Sequence, residues 1–196
     1  MKHAEMREFT RQALMDAFWS LYLERPIEKI SVKQIAESAG YNRSTFYEYF
    51  TDSYSVLEAL EEELLDYARA KLEQELPASL TANFPRVELD EESLRPLSDL
   101  YIEKGEYFSH LVGERGDPSF QYKYKRMVKD ILFRMLNRPA SQFDLRATVI
   151  SEFTASAIIG AFSYWYPHRG ELPAAQFAQL MLSLLSKGTL WNILRL

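Results

Sequence analysis

Residues 30–50, ISVKQIAESAGYNRSTFYEYF, constrain the fold more than any other part of the chain. Ser31 followed by Gln34 forms an S-x-x-Q capping box, in which each side chain satisfies a backbone N–H at a helix entrance, so a helix starts at Val32. Val32, Ile35, Ala36 and Ala39 make one apolar stripe, and Ala36 is small enough to admit a neighbouring helix. Gly40 falls where a helix end takes a left-handed residue, the conformation glycine adopts at least cost. Asn42 is placed to cap a second helix over residues 43–50. Two short helices joined by a tight turn are therefore expected, and the rest of the chain must pack around them.

In the second helix Phe46 and Phe50 are four apart and point inward with Tyr41 and Ile35. The opposite face displays Arg43, Ser44 and Tyr47, with Thr45 and Tyr49 on its flanks. Hydrogen-bonding side chains at the exposed end of a short helix are what a helix-turn-helix uses to touch base edges and phosphates. Two-helix corners also occur as plain structure, and the spacing alone leaves both readings open.

The segment resembles the TetR family of transcriptional regulators, whose pattern T-V-x-x-I-A-x-x-A-G-V-x-x-x-T-F-Y-x-Y/H-F is met by Ser31, Val32, Ile35, Ala36, Ala39, Gly40, Thr45, Phe46, Tyr47, Tyr49 and Phe50. The resemblance implies an all-α protein: a three-helix DNA-binding head, residues 1–53, and a larger helical body, residues 54–196, for effector binding and dimerisation. It further implies double-stranded operator DNA as partner, contacted by Ser31, Lys33, Asn42, Arg43, Ser44, Thr45, Tyr47 and Tyr49. Ser53 stands where the family often has a lysine, and Glu48 is an acid that the pattern does not explain.

Charge tempers this expectation. The chain carries a net charge of −5. Over residues 1–55 the bases are Lys2, Arg7, Arg11, Arg25, Lys29, Lys33 and Arg43, and the acids are Glu5, Glu8, Asp16, Glu24, Glu28, Glu37, Glu48 and Asp52, so the head is near −1. A protein that grips DNA by charge alone shows a basic stripe. Binding here must rest on a local surface around Lys33 and Arg43, on helix N-termini and on hydroxyls, doubled by dimerisation.

The other segments read as helices. Residues 9–23 carry Leu14, Ala17, Phe18 and Leu21 at helical spacing, with Trp19 packing, and Pro26 ends the element. Residues 54–76 hold Leu57, Leu60, Leu64, Tyr67 and Ala68 beside acids at Glu61, Glu62 and Glu63, a core face with a solvated acidic face. In proteins of the resembled family such a helix joins head to body. Residues 77–89, with two prolines and no clean period, read as a loop. A helix over residues 91–111 is expected to break at Gly105. Gly113 and Gly116 mark a turn, and Asp117 with Pro118 opens another helix, to about residue 136. The stretch from Glu106 to Leu132 also resembles the body of a subset of the same family.

After Pro139 come two strong helices. Residues 142–166 place Ile150, Phe153, Ala157, Ala161 and Tyr164 on one face, in a helix rich in small residues including Gly160. Residues 173–187 place Phe177, Leu180, Met181, Leu184 and Leu185 at helical spacing. The short break at residues 167–170 makes an antiparallel pair, and the family resemblance implies a homodimer built through these two helices.

No nucleophile elbow, P-loop or dinucleotide motif occurs, and the chain has no cysteine. His3, His110 and His168 lie in separate segments without ligand spacing, so no metal, cofactor or catalytic residue is expected, and no enzyme activity. No run of about 18 apolar residues is evident and the N-terminus is polar, so the expectation is a cytoplasmic protein without a membrane segment. The aromatic body offers Tyr101, Phe108, Tyr122, Phe153 and Trp165 as an apolar pocket for an unknown small-molecule effector, with core packing the competing use. The expected function is a homodimeric, effector-responsive repressor; the rival is a co-activator or interaction protein of the same fold that answers to a partner protein.

Overall fold

The computed structural model describes residues 2–75, 91–113, 116–135 and 144–188, and among these every regular element is helical. The order is α1 (Lys2–Glu24), a 3-10 turn (Ile27–Lys29), α2 (Val32–Ser38), α3 (Arg43–Tyr47), α4 (Ser53–Glu75), α5 (Glu91–Val112), α6 (Pro118–Met135), α7 (Leu145–Trp165), a 3-10 turn (Tyr166–His168) and α8 (Ala174–Lys187). The loop expected over residues 77–89 and the break at residues 137–139 lie outside the described residues.

The chain forms two compact units, Met1–Leu64 and Leu65–Leu196. The division falls inside α4 rather than at the expected boundary after residue 53. Val56, Leu57, Leu60 and Leu64 are all buried, so the first half of the helix belongs to the head core. That core is completed by Leu14, Phe18, Ile35 and Phe46, each 0% exposed. α1 begins well before the expected Phe9, because its first turns are polar and carry no apolar period to read. Glu61, expected on a solvated face, is 1% exposed.

In the body α5 is the central helix, packing against α6, α7 and α8. It runs unbroken through Gly105. A side chain there would meet the Tyr166 ring, since a Cβ would lie 2.2 Å from its nearest atom; glycine marks a close approach, not a break. Asp117 opens α6 as expected, its carboxylate accepting from the backbone N–H of Ser119 at 2.8 Å. Asp144 caps α7 by accepting from Ala147 N at 2.9 Å.

The apolar stripe expected on α7 is apolar but not core. Ile150, Phe153 and Tyr164 are 64%, 69% and 75% exposed, while Ser151, Ala155, Phe162 and Trp165 fill the interior. α7 with its following turn, Leu145–His168, is also long and apolar enough to cross a membrane by length and composition, a run the sequence reading missed because serines, threonines and a glycine dilute it. On α8, Phe177, Ala178 and Met181 are buried and Leu180 is exposed. α8 packs chiefly along α5, and less against the α7 expected as its partner. The connection from α7 is closed by Trp165, whose indole N–H donates to the Leu172 carbonyl at 2.7 Å.

Candidate functional site

The α2–turn–α3 corner is fixed by short-range bonds that its sequence dictates. Ser31 and Gln34 make both bonds of the capping box: the Ser31 N–H donates to the Gln34 side-chain oxygen at 2.9 Å, and the Gln34 N–H to Ser31 Oγ at 3.3 Å. At the other end Gly40 has φ 78°, and the N–H of Tyr41 reaches back to the Ala36 carbonyl at 2.8 Å while that of Gly40 donates to Glu37. This bond pair, closed by a residue in left-handed conformation, is the Schellman ending. Asn42 then caps α3; its side-chain oxygen accepts from Thr45 N at 2.8 Å, Ser44 Oγ at 2.6 Å and Thr45 Oγ1 at 3.1 Å. Phe46 and Phe50 anchor the corner from inside, ring centroids 5.8 Å apart.

α3 is shorter than expected. It ends at Tyr47, where Glu48 and Tyr49 donate to the carbonyls of Thr45 and Phe46 and tighten the last turn. Glu48 therefore lies past the helix end, not on a reading turn.

The residues expected to face DNA fall into groups. Arg43, Ser44 and Tyr47 are exposed together on α3, and Arg43 has no ion pair among the described residues. Ser44 and Thr45 both hold the Asn42 cap, so their free capacity toward a ligand is as acceptors. Lys33 is exposed but sits 3.7 Å from Glu37. Ser31 is exposed with its hydroxyl in the capping box, and Tyr49 is half-buried beneath the Arg7 guanidinium, 5.6 Å from the ring centroid. Sequence reasoning did not single out Arg7, because α1 meets this corner through tertiary packing that no local spacing signals. Ser53 is 8% exposed at the start of α4, beside an Asp52–Ser55 cap in which the Ser55 N–H donates to Asp52 at 2.8 Å.

A second feature lies within the body unit. A cavity with about 810 Å³ of empty space, counting the part open to solvent, is lined by residues of α4, α5, α6, α7 and α8, among them Leu72, Leu100, Met127, Ile158 and Met181. Among the described residues Tyr101 and Tyr124 bring the lining its only hydroxyls, and burial raises the pKa of each phenol above its ordinary value. Of the five aromatics expected around an effector, Tyr101 alone lines this cavity. Phe108 is core, 4.8 Å from the Tyr124 ring, and Trp165 is core, stacked on Phe177 at 4.2 Å. Tyr122 and Phe153 are each 69% exposed. Aromatic composition could not separate these fates, since a ring serves a core, a surface or a pocket equally well. The aliphatic lining was missed for the same reason. Among the described residues no group of three or more metal-ligating side chains comes together.

Two family profiles match the chain: "Bacterial regulatory proteins, tetR family" over residues 14–60, and "Transcriptional regulator C-terminal region" over residues 91–187. Among solved structures, the chain resembles a tetR-family transcriptional regulator from Streptomyces coelicolor, with TM-score 0.66 and 18% identity over 93% of this chain and 83% of that one. The fatty acid degradation regulator FadR from Bacillus halodurans gives TM-score 0.62 and 15% identity, covering 91% and 95%. The dihydroxyacetone kinase operon activator DhaS gives TM-score 0.55 and 19% identity, covering 91% and 97%. No curated protein sequence matches the chain.

Proposed function

Since the chain belongs to the TetR family of transcriptional regulators, we propose that it is a homodimeric repressor that binds double-stranded operator DNA through α3 and lets go when a small molecule occupies its body. The observation that carries the reading is the division of α3. Phe46 is 0% exposed and fixes the helix, while Arg43, Ser44 and Tyr47 stand outward from its first turns. Arg43, an unpaired exposed guanidinium, is the base reader; two donors in a fixed fork match the two major-groove acceptors of guanine. Asn42, its oxygen taken by Ser44 and Thr45, positions the helix and keeps its side-chain NH2 to donate to a phosphate, with Lys33 supplying charge.

The dimer reading rests on α7. Val149, Ile150, Phe153 and Tyr164 leave a large apolar surface uncovered in the single chain, and Gly160 within it has nothing within 4 Å of where a side chain would begin. Contiguous exposed apolar surface of this kind marks an interaction site. A second copy of the same face covers it, and sets two reading helices at the spacing of about 34–36 Å that successive major-groove faces demand.

Operator selection with the purified chain tests the assignment directly. Arg43→Ala should weaken binding to the selected site by about 1–3 kcal/mol and relax one base position. Unchanged affinity with an unchanged selected sequence would remove Arg43 from base reading. Gly160→Leu should give monomer in sedimentation with helix content kept, and lose operator binding; a variant that stays dimeric moves the interface elsewhere. For the switch, effector and operator must weaken one another by the same factor, because the coupling is reciprocal.

A further inference from the structure

We propose that the body cavity takes an uncharged, largely apolar small molecule that presents a single hydrogen-bond acceptor, a carbonyl or ether oxygen, to Tyr101 and Tyr124. Its being a ligand site does not depend on the repressor reading; only its effect on DNA does.

Among the described residues the lining consists of aliphatic side chains, two methionines and two tyrosines, with no charged residue. Tyr101 and Tyr124 are each 4% exposed, and among the described residues neither hydroxyl has a hydrogen-bond partner. Neither oxygen is among the side-chain atoms sealed from solvent without a partner, so both hydroxyls are open to the cavity they line, where a ligand atom can meet them. The rings themselves are held: Tyr101 lies among Phe162, Trp165 and Phe177 at centroid distances of 5.0–5.5 Å, and Tyr124 lies 4.8 Å from Phe108. The hydroxyls are thus presented on fixed arms rather than on mobile ones, which reduces the ordering cost of binding.

Each phenol O–H is a donor with no acceptor among the described residues, so the ligand atom that satisfies it is an acceptor. A carboxylate would find donors but no cation, and a quaternary ammonium would find neither an anion nor a carboxylate to balance it. Each would leave water for an apolar wall without charge compensation. The same wall rewards an alkyl chain or ring system in proportion to the apolar area it covers.

The test uses the full chain, without DNA, in titration calorimetry at neutral pH against three probes of matched chain length: 2-nonanone, nonanoate and nonyltrimethylammonium. The ketone is expected to bind on the order of a hundredfold tighter than either ion. The Tyr101→Phe/Tyr124→Phe double variant, checked for unchanged helix content, should bind the ketone roughly 3- to 10-fold more weakly than the parent. Binding of nonanoate or the ammonium equal to that of the ketone overturns the proposal. So does a double variant with undiminished ketone affinity, or a ketone that fails to bind up to millimolar concentration. A separate arm adds 2-nonanone to the operator complex. Ketone binding without DNA release leaves the ligand class standing and removes the effector reading instead.

Discussion

Head and body are both helical and both buried around aromatic residues, yet they differ in how far each has satisfied itself. In the head, the corner between α2 and α3 closes its helix ends with named partners: Ser31 and Gln34, Gly40 and Tyr41, Asn42 and Thr45. The surface left over is polar and small. In the body, two phenol groups stay unmet at a cavity wall and a broad apolar face on α7 stays uncovered. A unit that satisfies its own groups can serve as a rigid reader. One that leaves apolar and polar groups open is built to be finished by something else, whether a second chain or a ligand.

The largest test of that contrast removes the head's anchor. Phe46→Ala should cost about 3–5 kcal/mol in the head, since a fully buried phenyl ring is lost from a packed interior. Operator binding and the cooperative melting of α1 through the first half of α4 should disappear while the body still binds a neutral probe in its cavity. Loss of both together would show the two units fold as one.

Gly105→Ala is the counterpart in the body. The added methyl must displace the Tyr166 ring, so a loss of about 1–3 kcal/mol is expected in thermal unfolding, with a changed near-ultraviolet dichroism from the aromatic cluster. A variant as stable as the parent would mean that the ring moves aside without cost. It would also mean that the body is looser than its packing implies.

How much of this was legible follows from the range of each signal. The capping box, Gly40 and the Asn42 cap are local chemistry at fixed offsets, and they stand where the sequence put them. Gly105 shows the opposite case, because a glycine that breaks a helix and one that admits a ring from a distant turn look alike in sequence. Phe153 and Tyr164 share the helical period of a core stripe, and periodicity states that a face is apolar without stating what covers it. Glu61 adds the converse, a charged residue inside a run of acids that tertiary packing, not pattern, buries.

A smaller effect is expected at the α3 cap. Asn42→Ala removes an oxygen that takes three donors, and should lower stability by about 1 kcal/mol while loosening the first turn of α3. Operator affinity should fall by more than stability does, because Ser44 and Thr45 lose their common anchor. Equal melting and equal affinity would separate the cap from the reading face.

The smallest concerns a body surface cluster. Lys129 and then Lys125 hold the Glu152 carboxyl below its usual pKa, at 2.5 Å and 3.0 Å. A carboxyl lowered on folding contributes stability that is full above its ordinary pKa and is lost as pH falls through the lowered one. Glu152→Gln should therefore cost under about 1 kcal/mol near neutral pH, as expected of an exposed pair, and make acid unfolding slightly less steep. An unchanged acid limb would mean the three side chains hold each other only loosely.

The way α3 divides its labour has an evolutionary consequence. Phe46, Phe50 and Asn42 carry the fold of the corner, whereas Arg43 is exposed and Tyr47, 59% exposed, meets the interior through the edge of the Phe46 ring at 5.7 Å. On the proposed reading, substitution at those two positions changes what the corner recognises at little cost to the corner itself. If they are the readers proposed above, a lineage carrying this head drifts between target sequences through a few viable single steps, and a designer retargets it by randomising the same two positions before touching any other.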